Sequence, residues 1–134
     1  VILMNIVKTP KYLLETDILI EYLTCSDLNK VPYLLTLVQK GICFTSVLNA
    51  SELFMLAKTD FEREKVRDLL NALKVLGLHS RYSLAIPNCA DNFTNIRDAL
   101  FYILAEINTL VIVTLNPKKY SGLKVNSVHP LMIE

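Results

Sequence analysis

Glu15, Glu52, Asp98 and Asn116 each stand in or beside an apolar stretch of the chain, where a strand or helix should bury carbon rather than oxygen. Burying an ionised carboxylate is costly unless a cation or hydrogen-bond donors compensate it. Several acids set beside separate core-forming segments therefore point to an assembled site for a divalent metal, an ion that takes oxygen ligands. Taken singly, each is more simply a residue at the rim of the core. The inference needs a fold that brings them together.

Other chemistries lack a foothold. His79 and His129 have no neighbour at ligand spacing and read as surface residues. No Ser, His and Asp arrangement and no Gly-rich phosphate loop is visible, which leaves acyl transfer and nucleotide hydrolysis without support. Cys25, Cys43 and Cys89 lack the close pairing of a zinc or thioredoxin-like motif and read as reduced, mostly buried thiols. The formal charge is +1, so attraction to a polyanion would have to come from a local patch, for which Lys118 and Lys119 are the candidate. A Lys pair by itself is more simply a solvated turn.

At 134 residues the chain has room for one domain with a real core, spanning 1–134. Hydrophobic residues make up 52% and mean hydropathy is +0.38, high for a monomer whose whole surface is wet. Part of that excess is expected to cover a partner. The longest apolar run, 100–115, is interrupted by Glu106, Asn108 and Thr109 and is short for a bilayer crossing. With no secretory signal visible, a cytoplasmic location is the default expectation. Met4 reads as a possible natural start, with Val1, Ile2 and Leu3 ahead of it.

The elements that must position these acids follow from apolar spacing and capping residues. An extended segment at 11–14 turns into a helical run at 18–23, with Thr16 or Asp17 as N-cap. A second helix is expected to start near Ser26 or Asp27, to take Pro32 in its first turn and to stop at Gly41. A short strand at 42–44 follows, and Thr45 or Ser46 caps a helix whose apolar band contains Glu52. Residues 62–76 predict an amphipathic helix ended by Gly77, its charged face (Glu62, Arg63, Glu64, Lys65, Arg67) being a solvated surface. A possible strand at 83–86, an irregular stretch at 87–95, an apolar helix at 96–108, a buried strand at 109–114 and a possible edge strand at 123–125 complete the chain. Strands alternating with helices imply an α/β sandwich around a mostly parallel sheet, whose ligands bind beyond the carboxyl ends of the strands. Glu15 and Asn116 each lie just past a predicted strand.

These segments resemble the PIN-domain ribonucleases, and within them the VapC-type toxins of toxin-antitoxin pairs. Tyr12-Leu13-Leu14-Glu15-Thr16-Asp17-Ile18 is similar to the opening motif, a strand ending in Leu-Asp-Thr-Asn before an apolar helix. Thr45-Ser46-Val47 through Ala50-Ser51-Glu52-Leu53 is similar to the second, and Asp98-Ala99-Leu100 to the third, an Asp opening a buried helix. Val113-Thr114-Leu115-Asn116 with Tyr120, Gly122 and Leu123 is similar to the closing segment. The sequence departs from the pattern in having Glu15 where Asp is usual and Asp17 where Asn or Ser is usual.

The resemblance implies a PIN-like three-layer sandwich and a metal-dependent endoribonuclease using Mg²⁺ or Mn²⁺. Glu52, Asp98 and one of Glu15 or Asp17 would hold the ion. Asn116 would orient the attacking water or complete an outer hydrogen bond, with Thr114 and Ser46 as lesser positioning candidates. Such an ion lowers the pKa of a bound water and neutralises a phosphoryl oxygen. The implied partners are an RNA substrate, a cognate antitoxin protein and a second copy of the chain, with Tyr33, Leu34 and Leu37 as plausible contact residues. An inhibiting partner would work best by sending an Arg or Lys among the carboxylates. The alternative reading keeps the fold without the reaction, as a binding or interaction module. A phospho-acceptor domain is a weaker third, because no acceptor Asp ends a central strand.

Overall fold

The computed structural model describes residues 8–133, so the expectation about Val1 to Met4 lies outside them. Strand β1 (Lys11–Leu14) buries Tyr12, Leu13 and Leu14, as a strand covered on both faces must. It lies at the centre of a five-stranded sheet with β2 (Ile42–Ser46), β3 (Lys74–Leu76), β4 (Val111–Val113) and β5 (Ser127–Val128), in the order β3-β2-β1-β4-β5. Every pairing is parallel, with Leu13 opposite Phe44 on one side and Ile112 on the other.

Alternate residues of β1 feed two cores. Tyr12 and Leu14, with Val113, pack under the helices α1 (Thr16–Thr24), α2 (Tyr33–Lys40), α3 (Val47–Leu56) and α4 (Asp60–Asn71). Leu13 and Ile112 pack on the opposite face against α5 (Ile96–Ile107), whose Phe101 and Leu104 are fully enclosed. The result is the three-layer, PIN-like α/β sandwich expected, with a wholly parallel sheet. The chain runs from β1 out to β3 and returns to place β4 on the other side of β1. That reversal opens a crevice between β1 and β4 at the carboxyl end of the sheet.

One glycine is required by close approach. Gly41 joins α2 to β2, and a Cβ there would lie 2.5 Å from the Pro10 carbonyl oxygen and 2.7 Å from Tyr12 Cε2.

Several boundaries differ from the sequence reading. The helix expected over 62–76 is α4, which stops at Asn71, and residues 74–76 are the strand β3 paired with β2. Leu73 and Leu76 continue the helical phase, but the open edge of β2 offers residues 74–76 ladder bonds that a longer helix would leave unmade. The possible strand at 83–86 lies inside a 3₁₀ segment, Ser80–Asn88, because Pro87 and the polar residues around it favour tight turns. The last strand is β5 rather than 123–125. Gly122, at φ 79°, turns the chain first. The second helix starts at Tyr33 with Pro32 as its N-cap, not near Ser26.

Candidate functional site

Glu15 follows β1 directly, Asp17 lies in the first turn of α1, Glu52 is midway along α3, Asp98 opens α5 and Asn116 follows β4. All five line a single pocket of about 520 Å³ at the carboxyl end of the sheet, with Thr16, Arg97, Thr114 and Lys119 among the other lining residues. The convergence read from the sequence is therefore present.

Local structure fixes each acid. Glu15, rather than Thr16 or Asp17, caps α1, its Oε1 accepting the Thr16 amide at 2.9 Å. Ser46 caps α3 in a reciprocal box, its Oγ accepting the Leu48 and Asn49 amides while Asn49 Oδ1 accepts the Ser46 amide at 3.1 Å. The box holds Asn49, which is fully buried, so that its Nδ2 donates to Glu15 Oε1 at 3.1 Å and Thr16 Oγ1 at 2.9 Å. Ser46 thus positions the site through Asn49. Asn95 caps α5, accepting the Asp98 amide at 2.8 Å and donating Nδ2 to Asp98 Oδ2 at 3.0 Å.

Glu15 and Asp17 face different partners. Asp17 Oδ2 accepts from Thr114 Oγ1 at 2.7 Å and the Leu115 amide at 2.9 Å, tying α1 to the end of β4. Its Oδ1 is buried with no hydrogen-bond partner. Glu15 instead points toward Glu52 and Asp98, and between these three carboxylates lies the Arg97 guanidinium. Arg97 Nη1 donates to Glu15 Oε2 at 2.8 Å and to Asp98 Oδ1 at 3.2 Å. Nη2 donates to Glu15 Oε1, to Glu52 Oε1 at 2.7 Å and to Thr16 Oγ1 at 3.2 Å. Nε donates to Glu52 Oε1 at 3.2 Å. Lys119 Nζ adds a second cation, 3.0 Å from Asp98 Oδ1, and the Tyr120 hydroxyl donates to Glu15 Oε2 at 2.7 Å.

These contacts decide the charges. Burial alone would push the Glu15 carboxyl up, but Arg97, the Tyr120 hydroxyl and the Thr16 amide hold it below the usual carboxylate range. Asp98 is likewise pushed up by burial and brought below its ordinary value by Lys119, Asn95 and Arg97. Burial works against the Arg97 cation, and Glu15 and Glu52 overcome it, so the guanidinium stays charged. Burial and the Glu15 anion raise the Tyr120 phenol and keep it a donor.

The all-oxygen donor set suits Mg²⁺ or Mn²⁺ in kind. The arrangement does not. Glu15 already accepts five donors on its two oxygens, more than its roughly four lone-pair positions serve singly. Arg97 fills the space between the carboxylates, and among the described residues no group of three or more His, Cys, Asp or Glu side chains is placed to hold an ion. As folded here, Glu15, Glu52 and Asp98 form an ion-pair cluster around Arg97.

Arg97, Asn49, Thr16 and Tyr120 were missed as site residues in the sequence. A signal existed for Arg97: a cation in the first turn of a helix opposes the helix dipole and asks for a reason. Asn49, an amide in an apolar band, carried a similar hint. Lys119 was noticed only as half of a Lys pair. His79 and His129 lie outside the pocket, each accepting a backbone amide two residues on. Cys25, Cys43 and Cys89 are free, the last two buried, with burial pushing the Cys43 thiol up to about 11.

No protein-family model matches the chain, and no curated protein does. Solved structures do match. A toxin-antitoxin complex from Klebsiella pneumoniae aligns with TM-score 0.71 at 17% identity, over 89% of this chain and 97% of that one. VapBC-1 from nontypeable Haemophilus influenzae aligns with TM-score 0.73 at 17% identity, over 90% and 98%. The fold is that of a chain in the VapBC toxin-antitoxin complexes. VapBC2 from Rickettsia felis, solved with a DNA fragment from its promoter, aligns with TM-score 0.70 at 16% identity, over 89% and 98%. These alignments cover 97% or 98% of the matched chains.

Proposed function

We propose that this protein is the toxin-type component of a two-protein module, an endoribonuclease directed at RNA phosphodiesters and held in check by a small antitoxin. The observation that carries this reading is the convergence of Glu15, Asp17, Glu52, Asp98 and Asn116, from separate segments, on one pocket of about 520 Å³ in a VapBC-type fold. Hydrolysis would need Mg²⁺ or Mn²⁺ admitted among the four acids, with Asn116 ordering water at the rim.

An apolar groove supports the partner. Ile20, Leu53, Leu56, Phe61 and Val66 of α1, α3 and α4 line a cavity of about 400 Å³, and Ile20 also borders the carboxylate pocket. Phe61, Leu56 and Met55 are exposed there or beside it, a surface that an amphipathic partner segment or a second copy would cover. Leu34 and Leu37 of α2, for which a core role was the simpler expectation than contact with a partner, are buried in the core. Among the described residues no helix is long and apolar enough to cross a membrane.

The test is incubation of total RNA with the purified chain in Mg²⁺ or Mn²⁺ against an EDTA control, and light scattering for the homodimer. Metal-dependent cleavage is expected, and none under any condition would remove the nuclease reading. Arg97 favours a second reading, an inactive module that binds a partner through the same fold. Partner binding without cleavage would select it.

A further inference from the structure

Three carboxylates from three separate segments are neutralised here by one side chain of the same protein. Arg97 makes six hydrogen bonds, to Glu15, Glu52, Asp98 and Thr16, and grips Glu15 with both terminal nitrogens. Such a two-pronged contact is among the strongest a guanidinium forms. Its side chain is only 23% exposed, and its Cζ lies 5.1 Å from the centre of the Phe101 ring one turn along α5, which adds a cation-π contact. Asn95 fixes the turn that carries it.

The arrangement answers an electrostatic demand. The pocket is lined by four carboxylates, Glu15, Asp17, Glu52 and Asp98, and two cations, Arg97 and Lys119, a formal excess of two negative charges. Without Arg97 the excess would be three, and Glu15 would lose two of its five donors. An anionic cluster that buried needs a counter-cation, from inside the chain or from solution.

We infer that Arg97 is a built-in counter-cation that closes the carboxylate pocket to divalent ions, so that an ion enters only when Arg97 leaves. This deepens the proposed reading by naming what controls its site, and it takes from that reading only the pocket as the ion's place. Metal binding and Arg97 seating compete for the same anions, so the protein folds fully without metal. Anything that draws Arg97 outward, such as an acidic group presented at the pocket mouth, would raise the affinity for the ion. Of the pocket's acids Lys119 pairs with Asp98, and its side chain is 40% exposed, so it follows rather than sets this competition.

The experiment is Mn²⁺ titration of the 134-residue chain by calorimetry and by loss of the free-ion electron paramagnetic resonance signal, with thermal melts in Mn²⁺ and in EDTA. Wild type should show weak binding and a melting temperature that EDTA leaves unchanged. Arg97→Met keeps the apolar stem on Phe101 while removing the charge. It should melt lower in EDTA, recover in Mn²⁺ and bind the ion at least about tenfold more tightly, raising its stability by mass action. Adding Glu52→Gln to Arg97→Met should remove most of that gain, whereas Arg97→Lys, which keeps the charge and loses the two-pronged grip, should bind the ion more weakly than Arg97→Met. Should Arg97→Met not fold alone, folding rescued by Mn²⁺ supports the inference and failure of rescue counts against it. Wild type binding Mn²⁺ as tightly as Arg97→Met, or a folded Arg97→Met with no gain, overturns it. Absence of RNA cleavage alongside the expected binding would sink only the nuclease reading.

Discussion

Tyr120 donates its hydroxyl to Glu15 Oε2 at 2.7 Å, joining the segment after β4 to the end of β1 across 105 positions of sequence. Tyr120 is fully buried against Phe101 and Phe93, so the bond is made away from water. Tyr120→Phe keeps the ring and removes the donor, and it should cost about 1–2 kcal/mol. Urea unfolding checks this, and unchanged stability would mean that Thr16, Asn49 and Arg97 satisfy Glu15 without the phenol.

Glu15→Gln and Asp17→Asn should differ sharply. The first breaks the two-pronged pair with Arg97 and leaves a guanidinium short of charge, at a cost of about 3 kcal/mol. The second can keep an acceptor toward Thr114 and the Leu115 amide, and it exchanges one buried, unpaired polar atom for another where Oδ1 lacks a partner. Its effect should stay within about 1 kcal/mol. Equal losses in chemical denaturation would contradict the different roles assigned to these two acids.

Asp98→Asn and Glu52→Gln should each abolish metal-dependent RNA cleavage with the fold intact by circular dichroism. Glu52, with a side chain 42% exposed, should cost less than about 1 kcal/mol when neutralised. Wild-type cleavage by both variants would remove the site assignment.

Acid should weaken the cluster. Glu15 and Asp98 have carboxyls held below their ordinary values in the folded protein. Their contribution is fully present above the unfolded carboxylate range, about pH 4, and is lost as pH falls through the lower folded values. The melting temperature should therefore be flat near neutrality and drop at acid pH. In Arg97→Met, burial acts on Glu15 with less opposition, so the drop should shrink. Melts of both proteins across pH decide, and parallel curves would deny Arg97 its effect on these acids.

Gly41→Ala should destabilise by about 1–3 kcal/mol, because the new methyl group meets the Pro10 backbone, which cannot rotate away. An unaltered midpoint in urea would show that β1 and β2 can separate locally.

The sequence carried the three central strands β1, β2 and β4, the helices that follow them or precede them, and the five predicted residues that line the pocket, because apolar runs, caps and acids beside them are local signals. It missed β3 and the end of α4, since Leu76 suits a helix as well as the strand that β2 demands, and it misplaced the last strand. Arg97 stayed hidden for a different reason. Its partners lie 45 and 82 residues away at Glu52 and Glu15, and neither composition nor periodicity reports which distant anions a basic residue will meet. The expectation that an inhibitor would push a cation among the carboxylates concerns a partner protein, whereas the cation found there belongs to the chain itself, at Arg97.

Arg97 and Asp98 are consecutive, and both are carried by the first turn of α5. Any movement of that turn as a body would withdraw a cation and an anion together, leaving the pocket's net charge unchanged. Opening the cluster must then proceed by rotation about the Arg97 side-chain bonds while the helix stays in place. The transition would be a fast, local rotamer event without refolding, and it would leave no trace in the backbone.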